Sequence, residues 1–128
     1  MSTEITKRIR LTEESINRID FHDGALIAVS YHDSFACLTM VFHPNIWDDY
    51  PERPRAVEFH HVRDLRLTEY SDVSDYKDNA MINWVTCEKV GDLLAFEFFL
   101  YVTIQDDDPS ALGFSSLEFV CTEAIGLF

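Results

Sequence analysis

The sequence predicts an α+β fold that is mostly β, an antiparallel meander of about 6-8 strands forming a curled sheet or a sandwich. Two observations support this prediction. Short segments with apolar residues at every second position recur along the chain, and turn residues separate them. A helix-start pattern lies near the N-terminus and predicts a short helix there.

Length and composition indicate a single domain over residues 1–128. Apolar residues make up 47% of the chain, enough for a packed core without a disulfide or a metal. The widely spaced Cys37, Cys87 and Cys121 have apolar neighbours, which favours reduced core thiols and a cytoplasmic protein. No apolar run approaches the ~20 residues of a membrane helix, and the N-terminus lacks the apolar stretch of a signal peptide.

The opening of the chain indicates a strand followed by the short helix. Thr12 is a good N-cap, and Glu13 and Glu14 complement the positive end of the helix that follows, which we expect to end near Asp20. The apolar residues expected to share one face of these two elements are Ile5, Ile9, Leu11, Ile16 and Ile19.

Alternating patterns then predict strands over residues 25–31 and 35–43, with a turn at residues 32–34. A third strand includes Val57 and Phe59, and Leu65 and Leu67 continue it or begin a fourth. The residues that share one face of the first two strands are Ile27, Val29, Tyr31, Leu38, Met40 and Phe42.

The C-terminal half predicts a hairpin in which residues 81–88 and 93–104 flank a turn containing Gly91, which accepts positive φ. The strand over residues 93–104 is apolar on both faces, so we expect it to be central and covered on both sides. A last strand spans residues 114–123, with Leu117, Phe119 and Cys121 on one face.

The net charge of −13 is the most unusual total, because it repels nucleic acid and anionic lipid and attracts basic partners. Solubility alone is the competing explanation. One proline-flanked segment, residues 45–52, combines Trp47 and Tyr50 with three acids, and such aromatics either anchor a partner or cover the core. The residues predicted to contact a partner are Trp47, Asp48, Asp49, Tyr50, Glu52, Asp72, Asp75, Tyr76, Asp78, Asp106, Asp107 and Asp108.

The sequence favours a protein that is not an enzyme and that holds no cofactor or metal. Its glycines are isolated, and no nucleophile motif or set of converging metal ligands occurs. Calcium at the acidic loops is conceivable, but the EF-hand spacing is missing. Adjacent His60 and His61 point to opposite faces of a strand. An enzyme hypothesis uses His22, Asp23 and His61 as a proton-transfer group, whereas Asp23 as a turn residue with His22 packed beside it is the plainer interpretation.

Three segments resemble a group of small bacterial protein families. They are Phe21-His22-Asp23-Gly24-Ala25 leading into Ile27-x-Val29, then Val57-x-Phe59-x-x-Val62, and Leu117-x-Phe119-x-Cys121 followed by Ala124. Some of these families look like immunity proteins of bacterial polymorphic-toxin systems, including contact-dependent inhibition. The resemblance implies a cytoplasmic protein that binds and neutralises a cognate toxin domain, and an acidic inhibitor would match a basic nuclease. We expect the protein to be a monomer or a homodimer.

A different class of function stays open beside this hypothesis. An oligomeric structural or regulatory module would associate through a sheet edge or an apolar face, without a toxin partner. The two hypotheses differ in what the protein binds, namely a basic toxin domain or a second copy of itself.

Overall fold

A computed structural model describes residues 7–18, 26–42, 54–68, 76, 80–103 and 112–128. Nine strands and one short helix occur within these ranges. In chain order they are β1 (Arg8–Leu11), α1 (Glu13–Arg18), β2 (Leu26–His32), β3 (Cys37–Phe42), β4 (Ala56–His60), β5 (Arg63–Leu67), β6 (Ala80–Val90), β7 (Leu93–Thr103), β8 (Leu112–Cys121) and β9 (Glu123–Leu127).

The strands form two antiparallel sheets, which confirms the mostly β prediction with one short helix. The five-stranded sheet has the order β1-β9-β4-β3-β2, and the four-stranded sheet has the order β5-β8-β7-β6. Consecutive strands pair as a meander in β2-β3-β4 and in β6-β7-β8. The pairings of β9 with β1 and β4, and of β5 with β8, join distant parts of the chain and depart from a simple meander.

The strand that the sequence did not predict is β9. A single residue, Thr122, separates β9 from β8, although the two strands belong to different sheets. The alternating sequence pattern therefore continues from β8 into β9 without a visible break. The connection from β4 to β5 also passes from one sheet to the other. It lies beside the β8–β9 connection, because the Thr122 amide donates to the carbonyl of His60 at 3.0 Å. His61 follows with a positive φ of 57°, a conformation uncommon outside glycine, and this turns the chain into β5.

Both sheets share one hydrophobic core. Phe59 of β4 packs edge-on against Phe96 of β7 and Phe119 of β8, each at a centroid distance of 4.9 Å. Edge-to-face packing matches the positive ring edge of one phenyl to the negative face of another. The predicted inward row Leu38, Met40 and Phe42 is confirmed, and all three side chains are buried.

The helix begins where the sequence predicts. The Thr12 hydroxyl accepts a hydrogen bond from the Ser15 amide at 3.1 Å, and the Ser15 hydroxyl accepts one from the Thr12 amide at 2.6 Å. This reciprocal arrangement is a capping box with serine in the usual place of glutamate. Ile16 is buried as expected, whereas Ile5 and Ile19 lie outside the described residues.

Two predictions about β2 and β3 are wrong. A bulge between Leu26 and Ala28 shifts the alternation, so Leu26 is buried although the pattern put it opposite Val29. The turn covers residues 33–36 and β3 begins at Cys37, so Phe35 is 76% exposed rather than part of the strand.

The predicted hairpin between β6 and β7 is confirmed. Its turn contains Gly91 at a φ of 62°, and Val90 pairs with Leu93 across it. Strand β7 is central, as predicted, because it lies between β6 and β8. The expectation that both faces of β7 are covered is wrong. Phe96 and Phe98 are buried on the inner face, whereas Phe99 and Tyr101 on the outer face are only half-buried.

Candidate partner-binding surface

The outer face of the four-stranded sheet presents a group of large apolar side chains. Phe114 is 70% exposed and Trp84 is 53% exposed, and Phe99 and Tyr101 lie half-buried between them on the central strand. We call this group the aromatic patch, and its members are Met81, Trp84, Phe99, Tyr101 and Phe114. Exposed aromatic side chains that adjoin one another in this way mark interaction surfaces more often than single exposed apolar residues do.

Strand register explains why these rings touch. Trp84 of β6 is the cross-strand partner of Phe99, and Tyr101 of β7 is that of Phe114 on β8. The Trp84 and Phe99 ring centroids are 4.9 Å apart, and the Tyr101 and Phe114 centroids are 5.3 Å apart. The patch therefore crosses three strands on a backbone fixed by two ladders of hydrogen bonds, which preorganises it for contact.

Two glutamates adjoin the patch on the same face. Glu97 of β7 and Glu118 of β8 are direct cross-strand partners, and we call them the glutamate pair. Partial burial raises the pKa of Glu97, and the neighbouring Glu118 carboxyl raises it further by its charge and its hydrogen bond. Arg66 of β5 approaches Glu118 from the other side at 4.0 Å.

An open groove with a volume of about 270 Å³ runs over the glutamate pair. Asp64 and Glu88 line it together with the pair, and Arg66 is the one basic residue among the described residues of its lining. Among the described lining residues, four carboxyl groups against one guanidinium give the groove a negative potential, which attracts cations within a Debye length of ~8 Å at physiological salt.

Most of the residues predicted from the sequence to contact a partner lie outside the described residues. These are Trp47, Asp48, Asp49, Tyr50, Glu52, Asp72, Asp75, Asp78, Asp106, Asp107 and Asp108. Tyr76 is described, and for this residue the prediction is wrong. Its side chain is 0% exposed, so the ring belongs to the core and not to a contact surface.

The position of Tyr76 has a physical reason. Its hydroxyl lies 2.6 Å from the hydroxyl of Ser115, which is also buried and donates to the carbonyl of Thr68. A buried tyrosine hydroxyl needs such a partner, because burying it without one costs free energy. Ser115 points inward from β8, whereas its neighbour Phe114 points outward into the aromatic patch.

Of the residues in the enzyme hypothesis, only His61 lies in the described part of the chain. His22 and Asp23 lie outside it, and the exposed His61 ring contacts the Thr122 hydroxyl through Nδ1 at 2.8 Å. His60 lies 3.2 Å from Glu58, a carboxylate that also accepts from Arg8 at 2.8 Å. Among the described residues, no three histidines, cysteines or acids converge as a metal site would require.

The cysteines are free, as the sequence predicts. Burial raises the pKa of the Cys87 thiol to about 11 and that of Cys121 to about 12. Such thiols stay protonated at neutral pH, and the thiolate is the reactive form, so these two groups act as core residues. Within the described ranges, no helix is long and apolar enough to cross a membrane.

The sequence prediction missed the aromatic patch, although the signal was present. Apolar residues on both faces of residues 93–104 predict a strand that is covered on both sides. The same pattern arises when one face of the strand packs against the core and the other presents apolar side chains at the surface. Trp84 and Phe114 each lie opposite an outer-face residue of β7, and this register was needed to recognise the group.

Comparisons with protein-family models, with curated proteins and with solved structures gave no match for this chain. The resemblance to immunity proteins therefore stays a prediction.

Proposed function

We propose that this protein is a non-enzymatic binding protein whose aromatic patch contacts a basic partner protein. The observation that supports this most directly is the exposed patch beside an acidic groove, in a chain with a net charge of −13. Tryptophan and tyrosine rings dominate the energy of many interfaces, and complementary charge increases the association rate.

Two of the predicted acidic segments are joined in the chain to the strands that carry the aromatic patch. The segment containing Asp72, Asp75 and Asp78 enters β6 at Ala80, and the Asp106–Asp108 run joins the end of β7 to the start of β8. Both segments are therefore attached at the end of the sheet where Tyr101 and Phe114 pair. Acids around an apolar centre would form the polar, charged rim that interfaces commonly have.

The more specific form of the proposal is an immunity protein that neutralises a cognate toxin domain in the bacterial cytoplasm. The acidic charge supports it, because toxin domains that bind nucleic acid are basic, and so does the resemblance of residues 21–29, 57–62 and 117–124. In this form the Trp47–Glu52 segment supplies further contacts to the same toxin. The protein would block the toxin by occupying its surface, without any chemical step.

Calorimetric titration of the purified protein with the product of the neighbouring gene tests the proposal. We expect a stoichiometric complex that weakens with salt, and we expect Trp84→Ala or Phe114→Ala to raise Kd by about 30-fold, the loss of an anchor of ~2 kcal/mol. The matched control is Phe35→Ala, which removes an even more exposed ring from the β2–β3 turn. Equal affinity of all four proteins would reject the aromatic patch as the contact surface.

The oligomeric module is the second candidate, and the aromatic patch is the observation that favours it. Two patches facing each other across a twofold axis would bury the same rings. The charge of −13 on each copy opposes this arrangement, and the opposition is strongest at low salt. Light scattering of the wild type and of Trp84→Ala at low and high salt separates the two candidates. A dimer that forms at both salts and disappears in the variant would favour the module.

A further inference from the structure

The aromatic patch and the glutamate pair adjoin each other in the register of the sheet. Trp84 pairs with Phe99, and the next outer-face pair along the same two strands is Thr86 with Glu97. Trp84 is therefore the diagonal neighbour of Glu97. Diagonal neighbours in an antiparallel pair are separated by roughly 7–8 Å, which is within reach of an aromatic side chain.

The glutamate pair is unfavourable in the protein alone. Like charges directly opposite each other destabilise a sheet, and the half-buried Glu97 is also partly removed from water. Within the described part of the chain, no basic group lies within 4 Å of the Glu97 carboxylate. A cation bound between the two carboxylates would remove the repulsion.

Arg66 does not fill this role. It lies on β5, beyond Glu118 in the strand order, and its guanidinium is 4.0 Å from the Glu118 carboxylate at an exposed position. Two strands, β8 and β7, separate it from the Trp84 strand. Among the described residues, Arg66 therefore leaves the open groove over Glu97 without a cation on the side that faces β6.

On the basis of the proposed function, we infer that the cation is an arginine side chain of the partner protein, bound between Glu97 and Glu118 with its guanidinium plane stacked on Trp84. An arginine fits better than a lysine for two reasons. Its planar fork of N–H donors matches two carboxylates, and its weakly hydrated face stacks on an indole ring. Cation–π attraction to tryptophan adds to the charge complementarity of the groove.

Short peptides test this inference without the partner protein. The probes are acetyl-Gly-Arg-Gly-amide, the same peptide with lysine, and the same peptide with citrulline, a neutral shape mimic of arginine. Each is titrated into the labelled protein while NMR follows the side-chain carboxyl carbons of Glu97 and Glu118 and the indole N–H of Trp84. We expect saturable shifts with the arginine peptide, weaker binding of the lysine peptide and none of the citrulline peptide.

Variants show where the peptide binds. Glu97→Gln and Glu118→Gln should each weaken the arginine peptide by about tenfold, the usual effect of losing one charge-assisted hydrogen bond. Trp84→Ala should abolish the preference for arginine over lysine. The matched control is Glu123→Gln, which removes a glutamate from the outer face of the other sheet, beside Arg10. This control should leave the affinity unchanged.

The outcomes separate this inference from the proposed function. If the partner binds through Trp84 and Phe114 but the arginine and citrulline peptides behave alike, the arginine assignment is overturned and the binding function stands. Unchanged peptide affinity in Glu97→Gln overturns the assignment in the same way. If Trp84→Ala and Phe114→Ala leave the affinity for the partner unchanged, the proposed contact surface is rejected, whatever the peptide experiments show.

Discussion

Glu97 and Glu118 face each other directly across β7 and β8, and burial together with the neighbouring Glu118 carboxyl raises the pKa of Glu97. A cross-strand pair of like charges is unusual at the centre of a sheet, because like charges directly opposite each other destabilise the pairing. The pair lies beside the largest exposed aromatic side chains of the same face. This arrangement leads to predictions about stability that do not depend on knowing the partner.

Glu97→Gln should stabilise the free protein at neutral pH by about 0.5 kcal/mol. The substitution removes the repulsion and keeps a side chain of the same shape that donates to Glu118. Urea unfolding followed by circular dichroism measures the change. Glu123→Gln is the control, because Glu123 lies 3.7 Å from Arg10 and its neutralisation brings no such relief. A loss of stability in Glu97→Gln would show that the carboxylate is compensated in the free protein.

The stability difference between the wild type and Glu97→Gln should depend on pH. The folded pKa of Glu97 is raised above its ordinary value of 4.5. Its favourable contribution to stability is therefore fully present below about pH 4.5 and is lost as the pH rises through the folded value. Unfolding free energies at half-unit steps between about pH 4 and 7 should converge at the acid end and diverge toward neutrality. A constant difference across this range would contradict the assignment.

Tyr76 and Ser115 should be energetically coupled. Tyr76→Phe removes one partner of a buried hydrogen bond and should cost about 1 kcal/mol, whereas Ser115→Ala also deprives the Thr68 carbonyl of a donor and should cost about 2 kcal/mol. Because both substitutions break the same contact, the double variant should lose less than the sum of the two. Strict additivity in urea unfolding would show that the contact contributes no net stability.

Phe59→Ala should be among the most destabilising substitutions in the core, at about 3–5 kcal/mol. The ring joins the two sheets through its contacts with Phe96 and Phe119, so its removal leaves a cavity at their interface. Phe35→Ala removes the same side chain from an exposed turn and should change the stability by less than about 0.5 kcal/mol. Thermal and urea unfolding of the two variants check this contrast.

Local sequence patterns predict much of this fold, because helix capping, strand alternation and tight turns depend on residues that are close together in the chain. The capping residue Thr12, the row Leu38, Met40 and Phe42, and the turn at Gly91 each depend on a few neighbouring residues, and each was predicted. The bulge at the start of β2 was not predicted. It depends on how Leu26 and Ala28 fit against β3, and that fit exists only after the strands pair.

The candidate surface was harder to predict for the same reason. An aromatic residue on a strand has the same pattern whether its face meets the core or solvent, so Tyr76 was assigned to the surface and Phe99 to the interior. Only the pairing of three strands brought Trp84, Phe99 and Phe114 together. Contacts that depend on register across a sheet leave no local pattern in the sequence, because their residues are far apart along the chain.

The insertion of β9 between β1 and β4 also sets an order of events during synthesis. β1 is the earliest described strand, and among the described strands it pairs with β9, which is synthesised after the other eight. Until residues 123–127 are synthesised, β1 and one edge of β4 lack the described strand with which they pair. Such long-range pairing slows folding and leaves apolar edges exposed to other nascent chains. The five-stranded sheet therefore cannot be completed until β9, its last described strand, has been synthesised.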